Sequence, residues 1–306
     1  MIMNNQAKAY LYAGIAIFFW STVASAFKIA LRQLDFLELV FYASVVSLLF
    51  LGVVLISQGK MKRILHFSLA EYGRSAILGF LNPFLYYIVL LKAYSLLPAQ
   101  VAQPLNMIWP IILVFLSVPL LKQTIPARSF MALFICFAGV YLISSQGNVW
   151  NIEKSDPLGV ALATGSSLIW SLYWIFNVRD RREEIVKLFL NFFFATFFLL
   201  ALNLALGKFR SVSFTALLPA VYVGLFEMGV SFFFWMRAMQ LARSTDTIST
   251  LVYLAPFLSL VFIHLLVGEH IYVTTVVGLI LIVMGIVYQK FSLGKKKRIF
   301  VKNSEP

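Results

Sequence analysis

The sequence predicts an all-α membrane protein, a bundle of ten transmembrane helices built as two inverted five-helix repeats. Three observations carry that expectation. Composition is the first: 61% of the 306 residues are hydrophobic, only 12% are charged, and the mean hydropathy is +0.89, whereas soluble domains carry about 25% charged residues. The second is the length of the apolar runs, which reach the roughly 18 residues a helix needs to cross a bilayer. Lipid offers no partner to backbone N–H and C=O groups, so each run must be a helix or part of a closed barrel. Barrel strands alternate apolar and polar residues over about ten positions; "FLNFFFATFFLLALNLAL", from Phe189 to Leu206, does not alternate. The third is an internal duplication.

The runs span residues 9–31, 36–57, 73–95, 99–121, 126–145, 157–178, 185–206, 214–239, 246–268 and 271–290. The gaps between them are too short to house a soluble domain. The first run imitates a signal peptide, with Lys8 ahead of it and "ASA" at 24–26, but it continues to Leu31 and is expected to remain as a helix. The single cysteine, Cys136, falls inside the fifth run and is expected to be a small core residue.

The basic excess follows the gaps. With the N-terminus placed in the cytoplasm, six of the 25 Lys and Arg (Lys28, Arg32, Lys92, Lys154, Lys208 and Arg210) fall outside and nineteen inside. Positive residues collect on the cytoplasmic side, so both termini are expected there. The tail "GKKKR" would add attraction to anionic lipid. The net charge of +13 is therefore a topology signal, and no nucleic-acid partner is expected.

The duplication aligns "LGFLNPFLYYIVLLKAYSLL" (78–97) with "VGLFEMGVSFFFWMRAMQLA" (223–242). At an offset of 145, Gly79 meets Gly224, Asn82 meets Glu227 and Lys92 meets Arg237. At 146, Pro110 meets Pro256 and Gly139 meets Gly285; at 150, "FWS" (19–21) meets "IWS" (169–171). Each half holds five runs. An odd number makes the second half enter the membrane from the opposite side, which produces inverted repeats, and such proteins hold their substrate near the midplane where the repeats meet. The expected units are 9–145, 157–290 and a basic cytoplasmic tail, 291–306.

These residues resemble the drug/metabolite transporter superfamily, with two EamA-type domains. "FWSTVASAFK" near the start, "WSLYWIFN" opening the second half, the prolines of the fourth and ninth runs, Gly268–Glu269 and "GLILIVMGIV" carry the resemblance, which covers Tyr10 to Lys290. "NMIWP" (106–110) further resembles the aromatic amino-acid exporters of that superfamily. The first half departs at Leu121–Lys122, where the family often has a small residue and an acid. The resemblance implies a central cavity walled by helices 3, 4, 8 and 9, with helices 1 and 6 contributing.

Glu227 is the one acid of twelve deep inside a run. A charged group at the bilayer centre costs about 2.5–3.5 kcal/mol, so Glu227 should face the bundle interior or a water-filled cavity. It would serve as a substrate contact or protonatable switch, or else as a hydrogen-bonded structural group. Its repeat partner Asn82 sits at matching depth. Helical spacing adds Ser231 and Tyr86, each four residues on, and Gln103 and Asn106 in the fourth run. Trp20, Trp109, Trp170 and Trp174 lie inside their runs rather than at the interfaces tryptophan favours, and with Tyr253 they suit an aromatic-walled pocket; core packing is the alternative. Pro110 and Pro256 remove backbone donors and read as gating bends or as packing kinks. Lys28, Lys92, Arg237 and Arg243 are expected to snorkel. Histidines are scattered and no metal site, nucleotide motif, cofactor or catalytic pair is expected. The expected function is secondary transport of a small solute, an amino acid or related amine, by alternating access and in the export direction, with protons as a candidate coupling ion. The alternative is a membrane scaffold or lipid-handling protein without flux.

Overall fold

The computed structural model describes residues 4–121, 128–150, 155–209, 212–242, 248 and 251–293, and among these every regular element is helical. Lys122, Lys154, Arg210, Arg243 and the tail from residue 294 lie outside the described residues, and with them much of the expected charge asymmetry. Seven helices are long and apolar enough to cross a membrane: α1 (Asn5–Leu31), α2 (Phe36–Ser57), α3 (Leu69–Leu96), α4 (Ala99–Leu120), α6 (Pro157–Arg179), α7 (Glu184–Ala205) and α8 (Phe214–Leu241). Three shorter apolar helices, α5 (Ser129–Ser144), α9 (Val252–Val267) and α10 (Val273–Gln289), occupy the remaining runs.

Caps set where these helices begin. Asp35 accepts from Leu37 N at 2.9 Å while Glu38 reaches back to Asp35 N at 2.9 Å. Ser68 and Glu71 repeat that reciprocal arrangement at the head of α3, and Asp156 accepts from Gly159 N at 2.8 Å at the head of α6. Each satisfies amides that a helix leaves open at its first turn.

The halves pack through exchanged pairings. α1 packs on α8 and α9, and α6 on α3 and α4; α2 packs on α8, and α7 on α3; α2 meets α7, and α5 meets α10. Glycines make the closest crossings. A Cβ on Gly139 would lie 2.5 Å from Gly278 O, and one on Gly285 would lie 2.9 Å from Ala132 O. These two contacts exchange under the offset of 146. Small residues let backbones approach where no side chain fits, which suits helices that lack a hydrophobic drive to associate in lipid.

Four helices are irregular, three at their centres and one at its start. α3 carries a π segment, Phe80–Leu85, with extended backbone at Asn82 (φ −149°, ψ 123°). α8 carries Val223–Glu227 in the same form and then a turn at Met228–Gly229. α4 breaks between Asn106 and Trp109. α9 opens as a 3₁₀ turn, Val252–Leu254, immediately ahead of Pro256. Irregular backbone at membrane depth is tolerated where protein or a cavity surrounds it.

Candidate functional site

The broken centres surround a cavity of about 670 Å³. α1 contributes Trp20, Val23, Ala24 and Phe27; α3 contributes Tyr86, Leu90 and Tyr94; α4 contributes Gln103, Asn106, Met107, Trp109 and Leu113. α6 supplies Trp170, Trp174, Ile175, Val178 and Arg179, α8 supplies Glu227, Phe232 and Trp235, and α9 supplies Val252, Tyr253, Ala255 and Pro256. Glu227 is the single acid among the described residues that line it. Its Oε1 accepts from the Tyr87 hydroxyl at 3.0 Å. The other oxygen has no partner among the described residues.

The α4 break follows from Pro110. Without an N–H there, the Asn106 carbonyl has no helical donor four residues on, and Ser167 Oγ donates to it instead at 2.8 Å. One turn further, Ser171 Oγ donates to Trp109 O at 2.9 Å. The Asn106 side chain donates to Ser166 Oγ at 2.7 Å and accepts from the Tyr86 hydroxyl at 3.2 Å. Three serines of α6 thus hold the two halves of α4. In α9, Pro256 likewise leaves Val252 O without its usual donor, and Ala255 N–H takes the role.

Aromatic rings form two groups along the wall. Trp20 lies 5.3 Å from Trp235 and 5.8 Å from Phe232, centroid to centroid. Tyr86 lies 4.7 Å from Trp170, which lies 5.9 Å from Trp174. Among the described residues, no cluster of His, Cys, Asp and Glu could hold a metal ion.

The model of the EamA-like transporter family matches residues 7–145 and 157–288. The chain belongs to that family. It is a membrane transporter of the drug/metabolite superfamily, in a family of transporters rather than enzymes. An uncharacterized transporter of Clostridium kluyveri is 25% identical over 302 residues, 94% of each chain, and one of Archaeoglobus fulgidus is 24% identical over 93% of this chain and 97% of its own. The uncharacterized transporter YdfC of Bacillus subtilis is 25% identical over 74% of this chain and 73% of its own. A crystal structure with 23% identity superposes with a TM-score of 0.64 over 94% of this chain and 98% of the other, a likeness of fold.

Of the positions singled out in the sequence, the EamA cavity brings together Trp20, Tyr86, Gln103, Asn106, Trp109, Trp170, Trp174, Glu227, Tyr253 and Pro256. Three are not in its lining. Asn82 is buried, in the π segment of α3 that packs on α7 and α6; the extended backbone there breaks the helical phase that relates it to Tyr86. Ser231 is fully buried, with its hydroxyl on Phe226 O. The turn at Met228–Gly229 shifts the phase of α8, so Phe232 faces the space in its place. Pro110 acts one turn away, through the Asn106 carbonyl it leaves open.

Other residues went unread. Tyr87 is the carboxylate's partner, and it follows Tyr86 where a regular helix turns successive residues to different faces. Trp235 comes three residues after Phe232, on the face that the Met228–Gly229 turn brings round to the space. Lys28 does not snorkel: its Nζ donates to Tyr94 O and Leu97 O, each at 2.9 Å. Those carbonyls end α3, and Glu269 meets the amides that begin α4, accepting from Ala99 N at 2.7 Å and Gln100 N at 3.1 Å. The Gln100 side chain donates to His270 O at 2.6 Å and accepts from Thr275 Oγ1 at 3.1 Å. The α3–α4 corner is thus fastened to α1 and to the α9–α10 connection.

Proposed function

We propose that the protein is a secondary transporter that carries a small amphipathic metabolite, an amino acid or related amine, outward through this cavity by alternating access. The observation that carries the reading is the cavity itself: six helices, four of them broken at its level, enclose an aromatic space with one carboxylate. Ten spans form two inverted five-helix units, 9–145 and 157–290, with both termini and the basic tail 291–306 in the cytoplasm. The exchanged helix pairings and the exchanged glycine contacts support a two-fold relation between the units. Pro110 and Pro256 serve as gating bends: the carbonyl that Pro110 leaves open is held from α6, by a donor that a rocking helix can release, and Pro256 follows the 3₁₀ turn that opens α9. The fastened α3–α4 corner would be the closed end in this state.

Protons are the candidate coupling ion, since Glu227 can change its charge as the space opens to water. Glu227→Gln keeps the size and hydrogen bonding of the side chain. In proteoliposomes it should insert and fold normally yet lose most solute flux, or lose the pH dependence of that flux. Wild-type flux with wild-type pH dependence would make Glu227 a structural group.

A further inference from the structure

We infer that, of the two solute classes named above, the cavity favours the amine over the amino acid: it is a receptor for an organic monocation, an aryl- or alkyl-ammonium with no carboxylate, and discriminates against zwitterions and anions. The inference rests on the transport reading for its purpose, but its evidence is the chemistry of the lining. Five of the chain's six tryptophans line this one space, while Trp150 stands exposed in a loop. Concentrating the strongest cation–π side chain around one carboxylate is how a protein recognises an ammonium whose apolar body must also be covered. The two aromatic groups, Trp20 with Trp235 and Trp170 with Trp174, line the same space as a carboxylate that has one oxygen without a partner among the described residues.

The unmatched hydrogen-bonding groups point the same way. Among the described residues Gln103 Oε1 is buried without a donor, so it joins Glu227 as an acceptor, and an ammonium brings donors. Arg179 apart, the donors in the lining, Trp174 Nε1 among them, are neutral indole, phenol and amide groups. The one cation among the described lining residues, Arg179, sits at the last residue of α6 and already donates to Leu120 O at 2.6 Å. An anionic group held near Glu227 would meet like charge in a space of low dielectric, where such repulsion is strong.

The test uses three ligands with one shape. Phenethylamine, phenylalanine and 3-phenylpropionate are titrated into the purified full-length protein, and tryptophan emission excited at 295 nm reports occupancy, since nearly all the indoles line the space. Phenethylamine should bind more tightly than phenylalanine by about tenfold or more, the scale of one charge-assisted hydrogen bond, and 3-phenylpropionate should bind weakest. Trp150→Phe, outside the space, should leave that order intact, whereas Glu227→Gln should collapse it. Equal or tighter binding of phenylalanine or 3-phenylpropionate would overturn the inference, as would the absence of phenethylamine quenching. Flux separates the two readings. Binding of phenethylamine without its transport would sink the transport reading and leave the cation site, while binding and transport of phenylalanine in preference would do the reverse.

Discussion

Asp180 shows how single residues of this protein manage charge at the edge of the bilayer. Its carboxylate is fully buried just past the end of α6, and Arg182 meets it at 2.5 Å. Arg182 also donates to Glu71 O at 3.0 Å and Ser75 Oγ at 2.9 Å, and lies 5.3 Å from the Phe67 ring. Burial pushes the Asp180 carboxyl up, but the Arg182 hydrogen bonds and charge, with Lys187, outweigh it and hold the group below its ordinary value. A depressed value means the folded state favours the ionised form. Its contribution is complete above the ordinary aspartate value, about 3.9, and is lost as pH falls through the lower folded value. Asp180→Asn strands Arg182 and should cost about 3–5 kcal/mol at neutral pH, read as a lower melting temperature in detergent. The gap to wild type should narrow at acid pH; a gap that persists unchanged there would assign the loss to packing.

At the scale of elements, the positions of helices were legible and their local phases were not. Hydropathy marks a run because lipid penalises every polar residue alike, and glycine and proline mark where helices touch or break. The consequence of a break depends on partners distant in sequence. Ser231 was placed on the cavity face by regular helical spacing and Asn82 by its repeat match to Glu227, and the π segments and the Met228–Gly229 turn rotate them away, while Phe232 and Tyr87 gain roles that no spacing rule assigns. Lys28 reads as a snorkelling cation until the α3 carbonyls it meets are known. The α3–α4 corner yields an element-scale expectation. Gln100→Ala removes three hydrogen bonds that tie α4 to the α9–α10 connection. Each is worth about 1 kcal/mol net, so a cysteine at Gln103 in a Cys136→Ala background should react with a membrane-impermeant thiol reagent applied at that end about tenfold faster or more. An unchanged rate would show that the corner does not close the cavity.

For the whole molecule, the halves and their opposition are proposed from sequence and supported by the way helices exchange partners across the offset. Topology is the part of that proposal open to direct measurement. Cysteines replacing Lys60 and Lys296, in the same background, should both be labelled only from the cytoplasmic side, as the nineteen-to-six placement of basic residues requires. Labelling of the Lys296 position from outside would put an odd number of crossings between the two sites and end the inverted-repeat account.

The central claim is that the cavity is the route taken by a solute, and its most direct measurement is counterflow in proteoliposomes with the cavity filled. Ala24 is buried in α1 and borders the space, so Ala24→Trp places an indole inside it while leaving Glu227, Asn106 and the residues of the α3–α4 corner unsubstituted. Wild-type protein should exchange labelled phenethylamine well above empty vesicles, and Ala24→Trp, inserted and melting close to wild type, should fall to the empty-vesicle rate. Undiminished exchange by a stably folded Ala24→Trp protein would mean that solute passes elsewhere, and would contradict the account.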